Sequence, residues 1–84
     1  MRSSHIRRHI LDTLASAQGY GLQTSTVESH VGSLVRPPLK AVEFAAEVEA
    51  LVAADYVGTV ENPLDATQPL LILKEKGRVL LAQL

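Results

Sequence analysis

Three histidines and nine acidic residues are the side chains of this sequence that could perform chemistry. His5 and His9 lie four residues apart, a spacing that on a helix can bring two imidazoles to one metal ion, with His30 as a third ligand. No cysteine is present, and no carboxylate has a matching spacing. Both N-terminal histidines also flank apolar residues of a predicted helix, so a partly solvated helix face is the simpler interpretation. We therefore predict no metal site.

Acid–base or nucleophilic catalysis has no support in the sequence pattern. The acidic residues fall mostly on the polar faces of predicted helices and in loops, where no cleft would enclose a pair of them. Ser25 and Glu28 have the spacing of a helix capping box, in which each side chain bonds an amide of the first helical turn. Neither a phosphate-binding loop nor a glycine-rich nucleotide fingerprint is present. We predict a binding protein that needs no cofactor, not an enzyme.

Basic residues could bind the phosphates of a nucleic acid instead. One cluster combines Arg2, Arg7 and Arg8 with His5 and His9, and two smaller groups lie at the start of a predicted third helix and at the base of a predicted hairpin. The predicted nucleic-acid-binding residues are Arg7, Arg8, Arg36, Lys40, Lys74, Lys76 and Arg78. The formal net charge of −1 gives no overall attraction to a polyanion, so binding would depend on these local groups.

The spacing of apolar residues predicts the elements that would position these groups. Helices are expected over residues 4–17, from Ser25 to about Leu34, and from about Pro38 to Asp55. Residues 56–60 and 70–73 are rich in β-formers and flank a loop with two prolines, which predicts one hairpin. A short closing helix follows over residues 75–83. The predicted fold class is mainly α with a small β-hairpin, and a further short strand near residues 33–35 is compatible with it.

The third helix has two predicted faces that bear on function. The expected core side holds Ala41, Phe44, Ala45, Val48, Leu51 and Val52. The opposite side offers alanines and glutamates, with no lysine or arginine after Lys40, and would repel phosphate. It is either a plain solvated face or a flat surface that a partner helix can approach closely. The predicted protein-interaction residues are Glu43, Ala46, Glu47, Ala50 and Ala53.

Two stretches resemble winged-helix regulators such as the MarR-like and PadR-like proteins. Residues 48–57 are similar to the end of the third helix and its turn into the wing, and residues 73–81 are similar to the segment that follows the wing. The resemblance implies a winged helix-turn-helix of three helices, a two-stranded wing and a short C-terminal helix, with the third helix entering the major groove of DNA. Two residues depart from the family pattern. Asp55 stands where a glycine usually ends the third helix, and Lys74 replaces the usual capping threonine.

Length and composition set the remaining expectations. The 84 residues are expected to form a single winged-helix domain over residues 1–84, because a chain of this length builds one modest core. No run approaches a membrane span, and the N-terminal segment, broken by charges, lacks the apolar stretch of a signal peptide. A cysteine-free chain of this kind is expected in the cytoplasm.

Two functions remain open from the sequence. The first is a small DNA-associated transcriptional regulator that binds duplex DNA through its basic residues, as the resemblance implies. The second is a protein–protein interaction winged helix, in which the alanine-rich face of the third helix or the apolar residues 79–84 bind a partner or a second copy. Its support is the acidic third helix and the uncharged wing, neither of which suits a polyanion.

Overall fold

Four helices and three short strands make up the part of the chain that the computed structural model describes, residues 2–17, 20–64, 67 and 69–83. The elements in chain order are α1 (Arg2–Ser16), β1 (Leu22–Gln23), α2 (Thr24–Gly32), α3 (Ala41–Ala53), β2 (Val57–Val60), β3 (Leu70–Leu73) and α4 (Glu75–Ala82). This is the predicted order of a winged helix. The predicted fold class, mainly helical with a small antiparallel sheet, is confirmed.

The apolar face of α1 forms the centre of the core. Ile6, Ile10, Leu11 and Leu14 recur every three or four residues, and each is at most 1% exposed. This helix contacts α2, α3, α4 and β3. The other buried apolar residues come from α2, α3, β2 and β3 and from the turn before α3; they are Val27, Val31, Val35, Phe44, Leu51, Val57, Leu71 and Leu73. Leu80 and Leu81 of α4 are partly buried against this cluster. The core therefore contains mostly aliphatic side chains, as the composition predicts.

The sheet has three strands in the order β1-β3-β2, all antiparallel. The predicted hairpin is present as β2 and β3, with Val57 opposite Leu73 and Val60 opposite Leu70. The third strand is β1, before α2, and not the segment near residues 33–35 that the sequence allowed. A strand of two residues is too short to show the alternation by which strands are recognised. Of the predicted wing tip, Asp65, Ala66 and Gln68 lie outside the described residues.

The start of α2 corrects the capping prediction. The helix begins at Thr24, and its N-cap residue is Gln23, whose side chain makes no capping hydrogen bond. Ser25 is thus already inside the first turn and cannot form the predicted box with Glu28. The reason is β1, because its pairing with β3 keeps the chain extended as far as Gln23. The Thr24 hydroxyl instead donates a hydrogen bond to the carbonyl oxygen of Pro69, at 3.3 Å.

The junction between α3 and α4 accounts for both departures from the family pattern. Asp55 follows the end of α3 with a φ of 69°, a left-handed conformation that suits glycine and that aspartate tolerates better than most residues. Lys74 is the N-cap residue of α4, but its side chain makes no capping hydrogen bond. Its ammonium group lies 2.5 Å from a carboxylate oxygen of Asp55. The two unusual residues therefore bind each other.

Candidate nucleic-acid interface

The outward face of α3 differs from the predicted face. The buried residues of this helix are Phe44, Glu47 and Leu51, and Val48 is partly buried. Three residues expected in the core, Ala41, Ala45 and Val52, are exposed instead. Among the larger apolar side chains of the helix, Val42 is the most exposed, at 83%. The exposed residues of α3 are Ala41, Val42, Ala45, Ala46, Glu49, Val52 and Ala53.

An ion pair with α1 explains this orientation. Arg7 donates from its Nε to a carboxylate oxygen of Glu47 at 3.1 Å, and the Glu47 side chain is only 11% exposed. A buried carboxylate is costly unless a cation and hydrogen bonds compensate it, and Arg7 supplies both. The prediction that Glu47 lies on the exposed face is therefore wrong. One negative charge that would have repelled a polyanion is instead neutralised inside the domain.

The five predicted protein-interaction residues do not form one surface. Ala46 and Ala53 are exposed, whereas Glu43 and Ala50 are partly buried and Glu47 is buried. Ala50 lines a groove of about 270 Å³ between α1, α3 and α4, with Leu11 and Leu80 among the other residues of its walls. The three glutamates of α3, a helix that the structure describes in full, thus differ in exposure, and only Glu49 is exposed.

Basic side chains lie at the N-terminal end of α3. Lys40 is the N-cap residue, with extended backbone, and it is exposed, as is Arg36 in the preceding turn. A guanidinium nitrogen of Arg36 donates to the carbonyl oxygen of Val35 at 3.0 Å, which holds the side chain against its own turn. The amides of the first helical turn give this end a partial positive charge. The start of α3 is therefore suited to contact a phosphate group.

The predicted basic group at the wing base is largely occupied by internal contacts. Lys74 binds Asp55, and this cation holds the pKa of the Asp55 carboxyl below its usual value, by its hydrogen bond first and then by its charge. Lys76 donates to the carbonyl oxygen of Ala54 at 3.0 Å and lies 5.0 Å from the centre of the Tyr56 ring. Arg78 is exposed.

The N-terminal basic residues line two different depressions. Arg7 and Arg8 line the groove between α1, α3 and α4, and the Nε of Arg8 lies 4.0 Å from a carboxylate oxygen of Asp12, one turn along the same helix. His5 and His9 line a separate pocket next to the turn that contains Arg36. The side chain of Arg2, the remaining member of the predicted cluster, lies outside the described part of the structure.

The exposed side of α2 carries hydroxyl groups that the sequence analysis did not assign. Ser25, Thr26, Ser29 and Ser33 line a shallow depression along this helix, together with His30. Hydroxyl side chains are common donors to phosphate oxygens in DNA complexes. A signal was available, since residues 25, 29 and 33 are serines at the i, i+4 spacing of one helix face. The capping interpretation of Ser25 obscured it.

The described residues form neither a metal site nor a membrane-spanning helix. Within residues 2–17, 20–64, 67 and 69–83, no group of three or more histidine, aspartate or glutamate side chains could hold a metal ion. In the same residues, the longest apolar helical stretch falls short of what is needed to cross a membrane.

Comparison with solved structures identifies the fold. The PcaV transcriptional regulator from Streptomyces coelicolor matches with a TM-score of 0.77 and 26% sequence identity, over 93% of this chain and 52% of PcaV. The fold is a winged helix similar to that of MarR-like regulators. A mutant of MarR from E. coli complexed with operator DNA matches with a TM-score of 0.76 and 16% identity, over 92% of this chain and 49% of MarR. No protein-family model and no curated protein matches the sequence.

A winged-helix DNA-binding protein of more similar length also matches. F93 from STIV has a TM-score of 0.74 and 18% identity, over 99% of this chain and 84% of F93. By contrast, the chain spans about half the length of PcaV and MarR. The matched structures are of transcriptional regulators and a DNA-binding protein.

Proposed function

We propose that this chain is a DNA-binding module of a transcriptional regulator, with α3 as the helix that enters the major groove. The observation that carries the proposal is the internal pairing of Glu47 with Arg7, at 3.1 Å. It removes a carboxylate from the side of α3 that would face phosphate and leaves Glu49 as the exposed glutamate of that helix. The outward side of α3 is therefore less acidic than its sequence indicates.

The structural relatives support the same choice of ligand. MarR is described in complex with operator DNA and F93 as a DNA-binding protein, and both superpose on more than nine-tenths of this chain. In helix-turn-helix docking, the third helix lies in the groove while flanking groups contact phosphates. We assign the phosphate contacts to Arg36, Lys40 and the hydroxyl groups of Ser25 and Thr26. The matched regulators PcaV and MarR are bacterial, and bacterial DNA lies in the cytoplasm, so the cytoplasm is part of the proposal.

The outward side chains of α3 indicate how a groove would be recognised. Val42, Ala45 and Ala46 offer no hydrogen-bonding groups, and the base-edge feature that suits an apolar side chain in the major groove is the thymine methyl group. We therefore expect tighter binding to a duplex with thymine in the groove than to the same duplex with deoxyuridine, which lacks only that methyl group. Titrations of both duplexes with parent and Val42→Ser would show whether the preference depends on this residue.

A salt titration with a matched pair of variants tests DNA binding itself. Lys40→Gln and Lys76→Gln each remove one positive charge, but Lys40 is exposed at the start of α3 whereas the ammonium of Lys76 already binds the carbonyl oxygen of Ala54. Binding to a labelled duplex should weaken linearly in log–log form with salt, and Lys40→Gln should reduce the slope by about 0.9. Lys76→Gln should change it much less. Duplex binding that is undetectable even at low salt would rule out the proposal.

A second candidate function rests on the apolar character of the same face. Val42 is 83% and Val52 37% exposed, and such side chains suit a protein partner or a second copy as well as a groove. The variant Ala46→Arg distinguishes DNA binding from protein binding. Ala46 suits this substitution because it is exposed, whereas Ala50, another predicted protein-interaction residue, is partly buried. Added positive charge should strengthen duplex binding at low salt, whereas a bulky cation should abolish self-association. Sedimentation velocity and duplex titration of this variant distinguish the outcomes.

A further inference from the structure

A small pocket lies between α1 and the turn that leads into α3. It has a volume of about 190 Å³ and is lined by His5, His9, Leu34, Val35 and Arg36. His5 is exposed and His9 is partly buried, and the two imidazoles are one helical turn apart on α1. The pocket therefore brings together two residues of the N-terminal region and one from the turn before α3, which the sequence places in different basic groups.

The charge of this pocket is positive or neutral, and none of the described carboxylates lines it. Arg36 carries a permanent charge, and its hydrogen bond to the carbonyl oxygen of Val35 keeps the guanidinium at the turn. The other charged residues near the histidines on α1 are Arg8 and Asp12, which lie 4.0 Å apart and largely cancel each other. Protonation of either histidine thus adds to the charge of Arg36.

This charge pattern selects an anion over a metal ion. Two imidazoles with the i, i+4 spacing could begin a metal site, but the described residues supply no third ligand, and the guanidinium of Arg36 would repel a cation. Guanidinium and imidazolium groups are both hydrogen-bond donors with positive charge, and the guanidinium geometry matches a phosphate group closely. The apolar side chains of Leu34 and Val35 complete the walls and add no competing acceptor groups.

We propose that the pocket formed by His5, His9 and Arg36 binds a phosphate group, and that in the DNA complex this is a phosphate of the duplex backbone. The inference rests on the proposed DNA-binding function and extends it to α1. Arg36 lies four residues before Lys40, the N-cap residue of α3, so the pocket is beside the start of that helix. The histidines would then hold the strand next to the groove that α3 enters.

Duplex titrations at two pH values test this site. Because a phosphate group favours the charged form of a histidine beside it, the parent should bind duplex more tightly at about pH 6 than at about pH 8, by about 2- to 5-fold per histidine. The log–log salt slope should also grow by up to about 0.9 per histidine. The double variant His5→Gln, His9→Gln should lose the part of both effects that comes from this pocket. His30→Gln changes the third histidine, which lies on α2 beside Ser25 and Thr26 and outside the pocket, and it should retain that part.

The outcomes separate this inference from the proposed function. Duplex binding by the double variant with the full pH response of the parent would overturn the phosphate site and leave DNA binding intact. Loss of the response in His30→Gln alone would place the titrating group on α2 and have the same consequence. Undetectable duplex binding by the parent at low salt would overturn the proposed function and this inference together. Shifts of the His5 and His9 resonances by inorganic phosphate, with no effect of the double variant on duplex affinity, would identify a site for the unattached anion and refute the backbone assignment.

Discussion

Two glutamates of the same helix provide the sharpest test of how α3 faces its ligand. Glu49 is exposed on the outward side, whereas Glu47 is buried and bound to Arg7. Glu49→Gln and Glu47→Gln each remove one negative charge from α3 and make the same change in net charge. Any difference in DNA affinity between the two variants therefore reports where the charge lies on α3.

The expected size of the effect follows from the distance to the phosphates. A carboxylate about 8 Å from a phosphate costs roughly 0.5–1 kcal/mol at effective dielectric constants of about 40–80. We therefore expect Glu49→Gln to tighten duplex binding by about 2- to 5-fold at low salt, and the gain should shrink as salt screens the charge. For Glu47→Gln we expect little change in duplex affinity. That variant should instead lower the free energy of unfolding by about 0.5–1.5 kcal/mol, because the half-exposed Arg7 loses its charge-assisted hydrogen bond.

Fluorescence anisotropy with a labelled duplex at several salt concentrations measures the first effect, and chemical denaturation measures the second. An equal gain in affinity from both variants would mean that only net charge matters, and it would refute the placement of α3 in the groove. Destabilisation by Glu49→Gln with none by Glu47→Gln would show that the wrong side of the helix has been placed inward.

Three further predictions concern stability. Leu51 is 3% exposed, so Leu51→Ala should lower the free energy of unfolding by about 2–5 kcal/mol. Val52→Ala, on the exposed side of the helix, should lower it much less. Equal melting temperatures of the two variants would contradict the structure. Gly77→Ala adds a methyl group that would lie 2.3 Å from the backbone carbonyl oxygen of Tyr56. We expect the free energy of unfolding to fall by about 1–3 kcal/mol, although alanine favours the helix by about 1 kcal/mol. Thermal melting shows whether the variant is less or more stable than the parent. The lowered pKa of Asp55 makes its pair with Lys74 stabilising above about pH 4, and this contribution is lost as the pH falls through the folded-state pKa. The difference in melting temperature between parent and Lys74→Gln should therefore shrink on acidification, and a difference that grows would contradict the assignment.

Periodicity predicted most of the fold, because the deciding signals are local. The core residues of α1 and the β-rich runs of the hairpin depend on apolar spacing within one element, and the structure confirms them. The face of α3 was predicted less well. Burial of Glu47 depends on Arg7, which is 40 residues away in sequence, and a periodicity count treats every glutamate as exposed. The candidate phosphate contacts stay predictions, because only a measurement of DNA binding can test them.

The contact between the end of α3 and the start of α4 also depends on residues that are distant in sequence. Asp55 and Lys74 are each unexpected for the family pattern, and neither can be interpreted alone from the sequence. Together they form an ion pair, which gives each a role that its neighbours in sequence do not indicate. That residues 1–84 act as one independent domain also stays a prediction.

The short strand β1 has a consequence for how the helix-turn-helix can move. The start of α2 is tied to β3 through β1 and through the hydrogen bond from Thr24 to Pro69, while the end of α3 leads directly into β2 of the same sheet. The opposite ends of the two helices are joined by residues 33–40. The sheet therefore holds the start of α2 and the end of α3, and residues 33–40 hold the opposite ends of the two helices. These connections at both ends set the angle between α2 and α3. The pair should therefore meet a ligand as one rigid body, and adjustment of the angle to a particular groove must come from the ligand.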